Sequence, residues 1–231
     1  MGGATGRSRR PDWEVLPPVW EFIDERRSEI AFNAYQHASL VLQAVLVATL
    51  IAVTIAVLIT RTPRLEPVAN MVSAIGLTLP SFALIGLLLP LSGLGVRTAF
   101  ITITFYATLP ILRNAVVGLQ SVDATLLESA RGMGMNELTS LLRVRIPLAW
   151  PVIFAGVRIS TQMSMGIAAI AALVLAPGLG SYIFTGLTQI GGVNAVNSAL
   201  VGTVGIVIIA LLADGLLLLL GRLTISKGIR A

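Results

Sequence analysis

Cysteine is absent from this chain of 231 residues, and histidine occurs once, as His37. The first absence excludes disulfides, thiolate metal sites and thiol nucleophiles; the second excludes a histidine cluster for a metal. Charge is scarce as well. Asp, Glu, Lys and Arg make up 12% of the residues, against roughly 25% in soluble domains. The phosphate-cradling pattern GxxxxGK[ST] is missing, and the GMG at 132–134 lacks both the lysine and a preceding strand. ATP hydrolysis by this chain is therefore excluded. His37 opens an apolar run without the partners of a nucleophilic triad. No enzyme chemistry, metal or bound cofactor is expected.

What is abundant is apolar side chain: 55% of the residues, with a mean hydropathy of +0.89. Five apolar runs lie near 38–60, 67–91, 97–119, 148–175 and 199–221. Each is long enough to cross a hydrocarbon core of about 30 Å as a helix. The sequence thus predicts an all-α integral membrane bundle of about five transmembrane helices. Pro80 and Pro110 fall inside the second and third runs and should kink them, freeing carbonyls that need partners within the bundle. Residues 176–198 are too rich in Gly and Asn for a plain span, but leave room for a short helix from Gly180 to Ile190. Residues 1–36 form a polar arm. Its first 12 residues are rich in Gly, Arg and Ser and are expected to be disordered. Residues 18–34 mix Trp20, Phe22, Ile23, Ile30 and Phe32 with balanced charges, the pattern of an interfacial helix or of a solvated arm. The apolar, membrane-spanning domain then occupies 37–231, with a polar loop at 120–147. No secretory leader is expected, because the first apolar run begins near Ala38.

The net charge of +5 does not point to nucleic acid, because the basic residues are spread over separate loops. Lys and Arg in excess mark cytoplasmic loops. Arg61 and Arg64, then Arg131, Arg143 and Arg145, then Arg222, Lys227 and Arg230 fall in alternate connections, whereas the intervening ones hold only Arg97. That asymmetry puts the central loop and the C-terminus in the cytoplasm and, with five spans, the N-terminus outside. Arg7, Arg9, Arg10, Arg26 and Arg27 oppose this placement, offset only weakly by nearby acids.

The polar loop has a logic of its own. Thr125, Leu126, Ala130, Met133, Leu138, Leu141 and Leu142 recur at near-helical spacing, which predicts two short amphipathic helices. Gly134 sits where the first must end, a position suited to positive φ. Asn136 can cap the second. Pro147 is expected to interrupt any helix running from the loop into the membrane.

Residues 128–147, ESARGMGMNELTSLLRVRIP, closely resemble the "EAA" loop of ABC-importer permeases: Glu-Ala-Ala, three residues, Gly, nine residues, Ile-x-Leu-Pro. Ser129, Val144 and Ile146 depart from that pattern without changing its spacing. Further segments, LPSFALIGLLLPLSGLG (79–95), FYATLPILRNAVVGLQSVD (105–123), VRIPLAWPVIFAGVRIST (144–161) and APGLGSYIFTGL (176–187), resemble the osmoprotectant branch of that family. The resemblance runs from about residue 38 to the C-terminus.

What it implies is a multi-pass subunit of a bacterial cytoplasmic membrane, with the helical layout also found in methionine-type permeases and with cytoplasmic coupling helices. Glu128, Ser129, Ala130, Arg131, Gly132, Met133, Gly134, Val144, Ile146 and Pro147 would engage a cytoplasmic ABC ATPase dimer, which would use the ATP and Mg. A second permease subunit, the same chain or a paralogue, would complete the pore, and an extracytoplasmic binding protein would deliver glycine betaine, choline, carnitine or a similar compound. Amino-acid import of the methionine type is the alternative within the family. Recognition of a quaternary ammonium needs aromatic faces, and no aromatic cluster is visible here; Phe105, Tyr106, Tyr182 and Phe184 are candidates for passing contact with substrate. Asp214, within the last apolar run, is expected to pair with Arg158 or Arg113, since intramembrane charges are usually paired or functional. A secondary transporter working alone would carry internal repeats, and none is visible; a scaffold without transport activity would be told apart by unchanged uptake on deletion.

Overall fold

The computed structural model describes residues 18–225. The Arg-rich segment 1–12, Lys227 and Arg230 lie outside them. All regular structure among the described residues is helical, with no strand.

Helix α1 runs from Val19 to Arg61. No Gly or Pro occurs between Pro18 and Pro63 to stop it. The interfacial segment expected at 18–34 is therefore an extension of the first span, and the boundary drawn at 36/37 falls inside a continuous helix. Arg26 alone departs from helical geometry (φ −117°, ψ 15°). At 43 residues, α1 is about 65 Å long, twice what the membrane requires. One face carries Ala44, Ala48, Ala52 and Ala56, all fully buried, and this four-residue repeat of small side chains lets neighbouring backbones approach closely.

A 3₁₀ turn, Pro63–Leu65, leads into α2 (Glu66–Thr78) and α3 (Ser81–Ser92). The single kinked span expected at 67–91 is instead two helices meeting at 94°. Pro80 stands at the break with extended backbone (ψ 129°), as does Leu79 (ψ 130°), because the residue before a proline avoids helical geometry. The carbonyl of Leu79 does find its partner: Tyr106 Oη donates to it at 2.7 Å.

Helix α4 (Val96–Gln120) is the most enclosed span. It packs against α1 and against α7 (Ile146–Ile170). Ser160 Oγ donates to Ala107 O at 2.8 Å, and Gly156 lets α7 sit close to α4, where an added Cβ would come within 2.8 Å of Asn114 Cβ. A 3₁₀ turn, Ala171–Val174, ends at Leu175 in the left-handed region (φ 62°). The short helix expected in the Gly-rich stretch is α8, Gly180–Thr188, and α9 (Ala195–Thr224) returns across the bundle as its most peripheral member.

With α2 and α3 counted as one bent crossing, five spans are present. Their ends sort into two groups. Glu66 accepts from Gln120 Nε2 (2.8 Å) and Trp150 Nε1 donates to Thr224 Oγ1 (3.1 Å) at one end; Gly95 N donates to Val174 O (2.6 Å) at the other. The first end carries the loop between α4 and α7. His37 belongs to the packing: it is fully buried, and its Nε2 lies 3.2 Å from Met165 O, tying α1 to α7.

Candidate functional site: the helical loop between α4 and α7

Helix α5 (Ala124–Gly132) begins at Asp123, whose Oδ1 accepts from Thr125 N at 2.8 Å. That bond holds the exposed Asp123 carboxyl below its usual range. The helix ends in paired bonds, Met135 N to Ala130 O (3.1 Å) and Gly134 N to Arg131 O (2.9 Å), the pattern of a Schellman C-terminus. This closure requires a left-handed residue after the last turn, and Gly134 supplies it with φ +81°. An added Cβ there would meet nothing within 4 Å, so the demand on Gly134 is conformational and not steric. Asn136 then caps α6 (Glu137–Ser140), its Oδ1 accepting from Thr139 N at 2.8 Å.

Pro147 does not interrupt the chain. A π turn, Leu141–Arg145, joins α6 to α7, with Arg145 and Ile146 both in helical geometry. The wider turn bonds Ile146 N to Leu141 O, five residues back, and so accommodates a residue that has no N–H to give. The fourth span expected at 148–175 is accordingly the later part of one helical run, Glu137–Val174.

The orientation of the loop side chains follows. Of the triplet, Ala130 is buried, Glu128 and Ser129 are exposed, and Ser129 Oγ donates to Thr125 O at 2.8 Å. Arg131, Gly132, Gly134 and Pro147 are exposed, and Val144 and Ile146 half-buried. Leu126, Met133, Leu138 and Leu142 are all exposed, Met133 at 71%. Two amphipathic helices thus turn apolar side chains away from the bundle.

Inside the bundle, Arg158 and Asp214 form a forked ion pair: Nε and Nη2 to Oδ1 at 3.0 and 2.8 Å, and Nη2 to Oδ2 at 3.0 Å. Arg113, the other arginine expected as a partner for Asp214, is exposed and lies in no ion pair among the described residues. The aromatic candidates do not converge. Phe105 and Tyr106 stack edge-on on α4 (5.4 Å), Tyr106 being held to the α2–α3 break, while Tyr182 of α8 is buried against Phe22 (6.3 Å), and Phe184 is half-buried. Tyr182 Oη is buried on the side of Glu29. Burial, aided by the nearby Glu29 carboxylate, pushes its pKa up to about 12. Sequence reasoning passed over Asp123, although Asp just before a run of helix formers is an N-cap signal, and it passed over the Tyr106–Leu79 bond, for which no sequence signal exists. No metal-binding group of side chains occurs among the described residues.

A helical bundle with five candidate spans and a two-helix loop has the architecture of a multi-pass membrane subunit. Residues 45–225 match the family "binding-protein-dependent transport system inner membrane component", and the chain belongs to that family. It is therefore a multi-pass inner-membrane protein and a transport subunit of an ABC importer; hydrolysis of ATP falls to a separate ATPase, and a substrate-binding protein completes the system. The osmoprotectant import permease protein OsmW of Salmonella typhimurium is similar, 37% identical over 206 residues (87% of this chain, 94% of that one). So is the choline transport system permease protein OpuBB of Bacillus subtilis, 36% identical over 169 residues (73% and 78%). Among solved structures, the inward-facing MetNI methionine ABC transporter shares the fold: TM-score 0.69, covering 87% of this chain and 96% of that one at 19% identity.

Proposed function

We propose that this chain is the membrane-spanning permease of an ATP-driven importer of osmoprotectants, compounds of the glycine betaine, choline and carnitine class. The observation that carries the ATPase coupling is the loop itself, two capped helices turned at Gly134 that present Leu126, Met133, Leu138 and Leu142 to a partner. The substrate class rests on relatives named for choline, carnitine and glycine betaine transport. The likeness to the methionine transporter, at 19% identity, supports the fold alone. The loop end of the bundle gathers Arg61, Arg64, Arg131, Arg143, Arg145 and Arg222 and is the cytoplasmic end. The N-terminal extension of α1 is then extracytoplasmic; its Arg26 and Arg27 face Glu25 (3.2 Å) and Asp24 (4.0 Å). ATP-driven closure of two ATPase subunits swings the loop helices, and the spans of two permease subunits move as rigid bodies to open the pore outward. Substrate passes from the binding protein and is released inward after hydrolysis.

The test is affinity purification of the tagged chain from its native membrane, with mass spectrometry of what accompanies it. An ATPase should co-purify, and its yield should fall on Gly134→Leu. A second permease in the eluate would assign a heterodimer. Uptake of labelled choline and glycine betaine, but not methionine, by the reconstituted complex supports the substrate class; methionine uptake alone would overturn it.

A further inference from the structure

A cavity of about 420 Å³ opens at the loop end, between the last turn of α1 and the helices of the loop. Arg61, Arg131 and Arg145 line it, with Glu137 as the only carboxylate. Three positive charges thus stand against one negative. None of the three arginines has an ion-pair partner among the described residues. Arg145, which lines the cavity, is half-buried, and its Nε is fixed on Leu119 O at 2.8 Å. Like charges gathered at one site, with Arg145 half-buried beside the exposed Arg61 and Arg131, call for an anion. The rest of the wall combines aliphatic Val57, Leu127 and Leu141 with the hydroxyl residues Thr60 and Ser140, and Leu58, next to Val57 on α1, is 57% exposed on a membrane span. Arginines above an apolar span surface match a phosphate carried on acyl chains.

We propose that this cavity binds a phosphate group, supplied by an anionic phospholipid headgroup of the leaflet at the loop end. The proposal rests on the cytoplasmic placement of that end and goes beyond the transport reading. Basic pockets between membrane helices on the cytoplasmic side take such headgroups. The carboxylate of a protein partner would equally satisfy the charge, but it would leave without an occupant the apolar surface beside the arginines, Val57 in the wall and the exposed Leu58 next to it.

The test is native mass spectrometry of the full-length chain, delipidated in mild detergent and offered phosphatidylglycerol or phosphatidylcholine. Wild type should retain phosphatidylglycerol and not phosphatidylcholine. Arg61→Gln should weaken retention about fivefold, equivalent to about 1 kcal/mol per basic residue near an anionic leaflet, while Arg61→Lys should keep most of it. Arg64→Gln, at the same end but outside the cavity, should change nothing. Equal retention of the two lipids, or equal loss in Arg61→Gln and Arg64→Gln, would overturn the proposal. Displacement of phosphatidylglycerol by equimolar inorganic phosphate would overturn the lipid source. Loss of ATPase recovery in Arg61→Gln with lipid retention unchanged would assign the arginines to protein docking instead. None of these readouts requires transport, so failure here leaves the importer reading standing.

Discussion

Asp214→Asn offers the sharpest test of how the spans are held together. Arg158 lies about 18 Å along α7 from its start, and Asp214 about 15 Å from the end of α9, so the pair sits well inside both spans, away from the loop end. Asparagine keeps the shape but leaves a guanidinium without its counter-charge. Removing one partner of a fully buried pair costs about 3–5 kcal/mol, and a lone charge at the centre of a membrane helix about 2.5–3.5 kcal/mol. The Arg158 and Asp214 side chains retain 34% and 21% of their accessibility, so the expected loss is smaller, about 2 kcal/mol. For a chain of this size that lowers Tm by about 4–8 °C. Thermal unfolding of the detergent-solubilised chain, followed by fluorescence-detected size exclusion, measures it. A double replacement, Arg158→Leu with Asp214→Leu, should be milder than Asp214→Leu alone, because an apolar pair avoids the unmatched charge. A Tm for Asp214→Asn within about 1 °C of wild type, or strictly additive leucine substitutions, would refute the reasoning.

Tyr106→Phe removes the donor to Leu79 O and should cost about 1–2 kcal/mol, seen as a lower Tm and faster proteolysis at the α2–α3 break. Gly134→Val forces a β-branched residue to φ +81° at about 1–2 kcal/mol; ATPase co-purification should fall while the bundle stays folded. Gly156→Leu drives a side chain into Asn114 and Ile111 and should separate α4 from α7, lowering membrane abundance. The Asp123 carboxyl titrates below its unfolded value because it accepts from Thr125 N. Its contribution is therefore complete above about pH 4 and lost as pH falls further; hydrogen exchange at Thr125 should accelerate only in that acid range, and at every pH in Asp123→Ala.

The sequence disclosed most where structure is set locally. Gly134, Asn136 and the flanking leucines describe a turn between two helices within a dozen residues, and each side chain acts on backbone a few positions away. The absence of Gly and Pro from 19–61 likewise meant an uninterrupted helix, although a change in polarity near residue 36 invited a division there. Proline was harder to read. At Pro80 the neighbouring α4 could offer Tyr106 to the freed carbonyl, so a kink became a 94° break. At Pro147 a π turn absorbed the missing donor and the helix ran on. What decided each case lay in tertiary or register context. The choice between Arg158 and Arg113 for Asp214 was illegible for the same reason, since which helix faces fall opposite each other is fixed only by packing.

The π turn at Leu141–Arg145 has a mechanical consequence. Because the helix is not severed at Pro147, the 38 residues from Glu137 to Val174 form a shaft about 57 Å long. One end protrudes where the ATPase is proposed to grip; along its length it is pinned to α4 through Ser160 and to α9 through Arg158. A hinge at the membrane surface would absorb a push on α6 as local bending. A shaft with two pins transmits it as torque, so a tilt at Leu138 reaches the depth of Asp214 in one stroke.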